Sequence, residues 1–206
     1  MRAPRERGPV NAAPVFERVY GGLKQMLREG RAVPGARLDP AALASTLIAS
    51  VTPVRDALHR LAGERLVAVA SDGFHVPVFS EPDLRDLYAW NHQLLLLALR
   101  NARRSRAGFL PHPPPEAHSA ELVEALFSAI ARAADNRELA MTVAGLNDRL
   151  HAARRAELAV LEQVGQELAD LLEADLRTLR SLLGRYHRRR IAAVPDIVRA
   201  LYRPAN

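Results

Sequence analysis

A mainly α fold is predicted by three observations. Almost half of the 206 residues are apolar while only 5% are aromatic, the balance of an Ala- and Leu-rich helical protein. Most of the chain repeats its apolar residues at helical spacing, and extended segments are confined to residues 66–78. From Glu81 onward the pattern is helical throughout, apart from a Pro-rich break at 106–118. Together these place a small helix-and-hairpin unit over residues 15–79 and an all-helical bundle over 80–206.

The first helix is read at 15–29, where Val15, Val19, Leu23, Met26 and Leu27 share one face. Gly30 stands where a helix C-cap would, and "VPGARL" at 33–38 reads as a turn. Asp39 followed by Pro40 opens a second helix to about Leu47, since Asp accepts from free N–H groups and Pro suits the first turn. A third helix is capped by Ser50 or Thr52, with Pro53 in its first turn. Val54, Ala57, Leu58 and Leu61 form its inner stripe, leaving Val51, Thr52, Arg55, Asp56 and His59 outside. "LVAVA", "SDG" and "FHVPV" then read as a β-hairpin turning at Asp72-Gly73. Three helices and a ribbon in this order make a winged helix-turn-helix.

In the second half, Ser80 is the expected N-cap of a helix whose Leu84, Leu87, Tyr88, Asn91, Leu94, Leu95 and Ala98 share a face. Further helices are expected at 119–134, 136–156, 158–173, 175–190 and 195–202. The chain is basic, +6, with one Lys and otherwise Arg, and the excess sits mainly before residue 80. That balance suits a nucleic-acid partner only in company with a motif. No cysteine is present, which excludes disulfides and Cys-ligated zinc. No apolar run long enough to span a membrane or to form a signal peptide is seen, so a cytoplasmic protein is expected. No nucleophile, phosphate-binding Gly loop or paired-carboxylate motif points to an enzyme; Glu162, Glu167, Asp170 and Glu173 read as a solvated helix face.

"REGRAVPGARLDPAALA", "SVTPVRDALHRLAGERLV" and "DGFHV" resemble the winged-helix domain of GntR-type bacterial transcription regulators, nearly without gaps over residues 15–78. The resemblance implies a homodimer that reads double-stranded DNA at a pseudo-palindromic operator, as a repressor controlled by a small organic effector. DNA contacts are expected from Ser50, Val51, Thr52, Pro53, Arg55 and His59 on the recognition helix. Arg37, Gly73 and His75 are expected to join them from the wing, with Arg31 and the basic tail at 1–14 meeting phosphates. Arg55 stands where the family places an arginine facing the groove. Three departures stand out: Ile48 and Arg65 replace glycines, and Val51 replaces an Arg. Ile48 is β-branched and predicts a differently shaped turn. Val51 can touch a thymine methyl but cannot grip a guanine. These departures keep a second reading in play, a regulator-derived protein-interaction module with weakened DNA specificity.

The helical half resembles, more loosely, the FCD-type effector domain of the FadR-like branch, through "DLRDLYAWNHQLLLLAL", "LFSAIARAADNREL" and "EADLRTLRSLLGRYH". That domain commonly holds a divalent metal on an Asp and three His, beside a carboxylate ligand. Here Ser128 stands at one His position, Glu124 at the acid, Gly165-Gln166 near the next, and only His187 near the last. No metal or other cofactor is therefore expected. Asn91, Ser128, Arg149 and His187, with His92, remain as polar candidates for an organic effector. Asn91 replaces a family Arg and Leu95 a family Glu, and "HQLLLLALR" is a candidate dimer face.

Overall fold

The computed structural model describes residues 12–102 and 119–202. The tail over residues 1–11 and the Pro-rich break at 106–118 lie outside the described residues. The chain divides into two compact units between Pro77 and Val78.

The first unit runs α1 (Ala12–Arg28), β1 (Arg37–Leu38), α2 (Pro40–Thr46), α3 (Val51–Gly63), β2 (Ala68–Ala70) and β3 (Gly73–His75). Helix α1 starts three residues before the expected position. Val19, Leu23, Val54, Ala57, Leu58 and Leu61 are fully buried between α1 and α3, so the periodicity identified the facing stripes correctly. Burying each of these Val and Leu side chains contributes about 1.5–3 kcal/mol, which is what holds so small a unit together. Gly22 belongs to this packing: a Cβ there would lie 3.2 Å from Leu47 Cδ2, so α1 and the end of α2 meet closely where it stands. Asp39 caps α2 through Ala41 N and Ala42 N.

The wing is a three-stranded antiparallel sheet in the order β1-β3-β2 rather than a lone hairpin. Residues 37–38, read as part of a turn, pair with β3: Arg37 faces His75 and Leu38 faces Phe74. Gly35 N and Val76 N extend this pairing, each donating across it at 2.9 Å. The strands are shorter than expected because Leu66 and Val67 turn inward to the core and Pro77 has no N–H to donate.

The second unit holds α4 (Glu81–Asn101), α5 (Ser119–Ala133), α6 (Arg137–Glu157), α7 (Val164–Glu173) and α8 (Leu176–Leu201). Helix α4 packs on α5, α6 and α8, and α5 packs on α6 and α7. Ser80 and Asp83 form a reciprocal capping box at the start of α4, and all seven residues predicted for its inner face are buried. Of the four leucines at 94–97, Leu94 and Leu95 enter the core while Leu97 is exposed. Two expectations fail. The helix expected at 158–173 starts only at Val164, after Gln163 takes a left-handed conformation (φ 53°). The separate helices expected at 175–190 and 195–202 are one helix that passes through Pro195. An internal proline costs about 3 kcal/mol, and burial of Val194 and Ile197 around it offsets that cost. Among the described residues no helix is long and apolar enough to cross a membrane.

Candidate nucleic-acid interface and core polar site

The turn between α2 and α3 aims the recognition helix. Ile48 adopts φ 50°, the left-handed conformation natural to glycine, and is 87% exposed. The expectation of a differently shaped turn is therefore corrected: the turn keeps its left-handed residue and the β-branched side chain bears the strain. Arg18 of α1 supports it, Nη1 donating to Leu47 O at 2.6 Å and Nη2 to Ile48 O at 3.1 Å. Arg65 repeats the pattern at the end of α3, with φ 61° where a glycine is usual. There Leu66 N closes the turn on Leu61 O at 2.9 Å.

Ser50 occupies the N-cap of α3 and is exposed, and its side chain makes no capping bond. Val51, Thr52, Arg55 and His59 are exposed, and Pro53 is half-buried in the first turn. Among the described residues Arg55 has no acidic or hydrogen-bonding partner, so its five donors face solvent. The His59 ring rests edge-on against Phe74 at 4.9 Å, joining the outer face of α3 to the wing. Farther along α3, Glu64 accepts from Tyr20 O–H at 2.7 Å and pairs with Lys24 at 3.1 Å.

On the wing, Arg37, Gly73 and His75 come together. His75 Nε2 meets Asp72 Oδ1 at 3.0 Å, and this bond is the main cause holding the Asp72 carboxyl below its ordinary range. The Arg37 Nε lies 3.9 Å from where a Gly73 Cβ would stand. The predicted DNA-contacting residues thus fall into two groups, the first turns of α3 and the wing, where Arg37 on β1 is exposed while Gly73 and His75 on the central strand β3 are half-buried.

In the helical unit the polar candidates separate. Asn91 and His187 are fully buried, with His187 Nε2 3.0 Å from Asn91 Oδ1 and its Nδ1 2.7 Å from Leu183 O. His92 stacks on His187 at 4.8 Å. Burial is the dominant cause pushing His187 down to about 3, so the ring is neutral at ordinary pH. Ser128 Oγ accepts from Asn147 at 3.1 Å. Arg149 lies elsewhere, near Asp83, whose carboxyl is lowered chiefly by Ser80.

Sequence reasoning missed the larger part of this core. Asn147, His151, Arg154 and Glu157 all sit on the buried stripe of α6. His151 Nδ1 meets Glu124 Oε1 at 2.6 Å, and Arg154 Nη1 donates to Asn147 Oδ1 at 3.0 Å. Glu157 accepts from Tyr88 at 2.6 Å and from Arg190 Nε at 2.9 Å. Glu167, expected on a solvated face, instead pairs with Arg190 and Arg189. The signal was available: these polar residues continue the spacing of Leu139, Val143, Leu146 and Leu150, and a polar residue on an apolar stripe is buried with a partner.

This donor set does not fit the divalent metal that the family resemblance implies. Among the described residues no three His, Asp or Glu side chains converge. The Glu124 carboxylate is engaged by His151, and both His187 nitrogens already face partners. The Arg154 guanidinium lies 3.7 Å from Glu124, a positive charge that opposes a second cation.

Comparison with known proteins agrees with this geometry. Residues 16–74 match the profile described as "Bacterial regulatory proteins, gntR family". An 82-residue stretch is 38% identical to the HTH-type transcriptional regulator McbR of Escherichia coli (strain K12), covering 39% of this chain and 37% of McbR. In three dimensions the solved structure of E. coli McbR/YncC superposes with a TM-score of 0.66 at 22% identity, over 88% of this chain and 97% of that one. A GntR transcriptional regulator from Rhodococcus sp. RHA1 gives 0.66 at 18% identity, with the same coverage. These two likenesses extend the shared fold beyond the winged helix into the helical unit. Residues 16–74 are thus similar to the gntR family of bacterial regulatory proteins, and beyond them the likeness is one of fold.

Proposed function

We propose that the protein is a transcription regulator, not an enzyme, that binds double-stranded DNA in the cytoplasm as a homodimer at a pseudo-palindromic operator. In this reading it acts as a repressor, and a small organic effector in the FCD-like helical unit changes the spacing of the two recognition helices. The observation that carries it is the exposed first turns of α3, where Ser50, Thr52 and Arg55 present donors beside the wing in a gntR-family domain. A helix so presented enters the major groove, and two-fold symmetry places its copy about one helical turn (~34 Å) away. Arg55 grips a guanine edge, Val51 touches a thymine methyl, and Ser50, Arg31 and Arg37 meet phosphates. Effector control requires that the ligand bind one arrangement of the dimer more tightly than the other.

The test is selection from random and own-genome DNA with the purified protein at about 150 mM salt, physiological screening conditions. A two-fold symmetric motif is expected, and Arg55→Ala should lose about 1–3 kcal/mol of discrimination at one base in each half-site. Equal binding of the selected site by parent and variant overturns the assignment of Arg55.

Val51 and the strained Ile48 favour one second reading, a regulator-derived interaction module with weakened DNA specificity. It requires sequence-blind binding at every salt concentration together with a tight protein partner.

A further inference from the structure

The tip of the recognition helix sets an apolar side chain between two uncommitted hydroxyls. Val51 is the first residue of α3, and its side chain is 38% exposed. It can neither donate nor accept a hydrogen bond. Ser50 and Thr52, on either side of it, are exposed, and neither hydroxyl has a hydrogen-bond partner among the described residues. A hydroxyl rotates to donate or to accept, so it serves an oxygen and an amino group equally well.

These properties decide which feature of a base edge the tip can tell apart. In the major groove thymine shows an O4 acceptor and a C5 methyl, whereas cytosine shows an N4 amino donor and a bare C5. Hydrogen bonding separates the two only through a side chain of fixed polarity, and residues 50–52 include none. The methyl is what remains to be read. Thymine carries it, cytosine and uracil lack it, and 5-methylcytosine has it at the same place. Arg55 follows one turn later on the exposed face of α3, with no partner among the described residues. Side chains four apart on a helix have Cβ atoms about 5–6 Å from each other. Successive bases rise by only about 3.4 Å, so the pair spans neighbouring base pairs. The planar fork of Arg55 suits O6 and N7 of guanine.

We propose that Val51 and Arg55 read one step of duplex DNA, a C5-methylated pyrimidine beside a guanine, and that thymine and 5-methylcytosine serve alike. Methylation of a cytosine at that position then creates a binding site for this protein. This rests on the DNA-reading proposal above and names the chemical group that it recognises. Selectivity comes from apolar contact with the methyl, and orientation comes from the arginine fork on the adjoining guanine.

The experiment uses the full-length protein and synthetic duplexes carrying the site recovered by DNA selection. The guanine whose discrimination is lost in Arg55→Ala locates the step. The pyrimidine beside it is made thymine or uracil opposite adenine, and 5-methylcytosine or cytosine opposite guanine, so that each pair differs by the methyl alone. Adding the methyl is expected to tighten binding about fourfold per half-site in both pairs. Val51→Ser should lose both preferences while the guanine preference of Arg55 persists. If Val51→Ser fails to fold, the four duplexes with the parent protein decide the matter. No gain from the methyl in either pair, or a gain with thymine and none with 5-methylcytosine, overturns the proposal. Methyl preferences that survive in Val51→Ser overturn it too, as does a site with no pyrimidine beside that guanine. A recovered motif without methyl preference sinks the Val51 reading alone. Recovery of no motif sinks the DNA-reading proposal and this inference with it.

Discussion

Ile48 shows what a single backbone conformation costs. Its side chain makes no buried contact to offset a left-handed φ, and that conformation costs a non-glycine residue about 1–2 kcal/mol. Ile48→Gly relieves the strain but adds freedom to the unfolded chain, so a net stabilisation of about 1 kcal/mol is expected, visible as a higher denaturant midpoint at unchanged slope. An unchanged or lower midpoint would show that the turn holds Ile48 without strain. Val51 is the complementary case, a position where strain is absent and chemistry is missing. Val51→Arg supplies a bidentate guanine reader, and DNA selection with this variant should acquire a guanine adjoining the base read by Arg55. A motif identical to the parent's would place position 51 outside the groove.

At the scale of elements, the recognition helix owes its aim to a contact from another helix. The two Arg18 bonds hold the carbonyls of the turn from α1, across about thirty residues of sequence. They are exposed, so Arg18→Met should cost only about 1 kcal/mol of stability. The effect on hydrogen exchange should be local, with faster exchange at Ile48 and Ala49, whose N–H groups close that turn on α2. Uniform acceleration across α1–α3 would mean that Arg18 supports the whole unit instead. In the helical unit the Glu157–Arg190 pair joins α6 to α8 beneath full burial. Breaking one side of such a pair leaves a buried charge partly uncompensated, so Glu157→Gln is expected to destabilise by about 3 kcal/mol, read from thermal or denaturant unfolding. A change below about 1 kcal/mol would show that Glu167 alone suffices for Arg190.

For the molecule as a whole, acid stability follows from the neutral histidine in the core of the helical unit. The folded state holds His187 near 3, below its ordinary 6.5, so between those values the unfolded chain binds the proton and the folded chain does not. Stability from this group is complete above about pH 6.5 and falls as the pH drops towards 3, by about 2 kcal/mol on reaching about pH 5. His187→Gln should flatten that part of the stability profile, whatever it does to stability at neutral pH; an unaltered slope would assign the acid sensitivity to other groups. The amino-acid sequence by itself determined the element types, the buried stripes of α1, α3 and α4, the caps at Asp39 and Ser80, and the exposure of Arg55. Each of these follows from spacing or from a local hydrogen bond within a few residues. Tertiary structure alone decided the third wing strand, the left-handed Ile48, the uninterrupted α8 and the arginine-centred core. Pairing Arg37 with His75, and joining Glu124 on α5 to His151 and Arg154 on α6, brings together residues distant in the chain. Burial energy gathered over whole helices is what overrides the local preferences of Ile48 and Pro195.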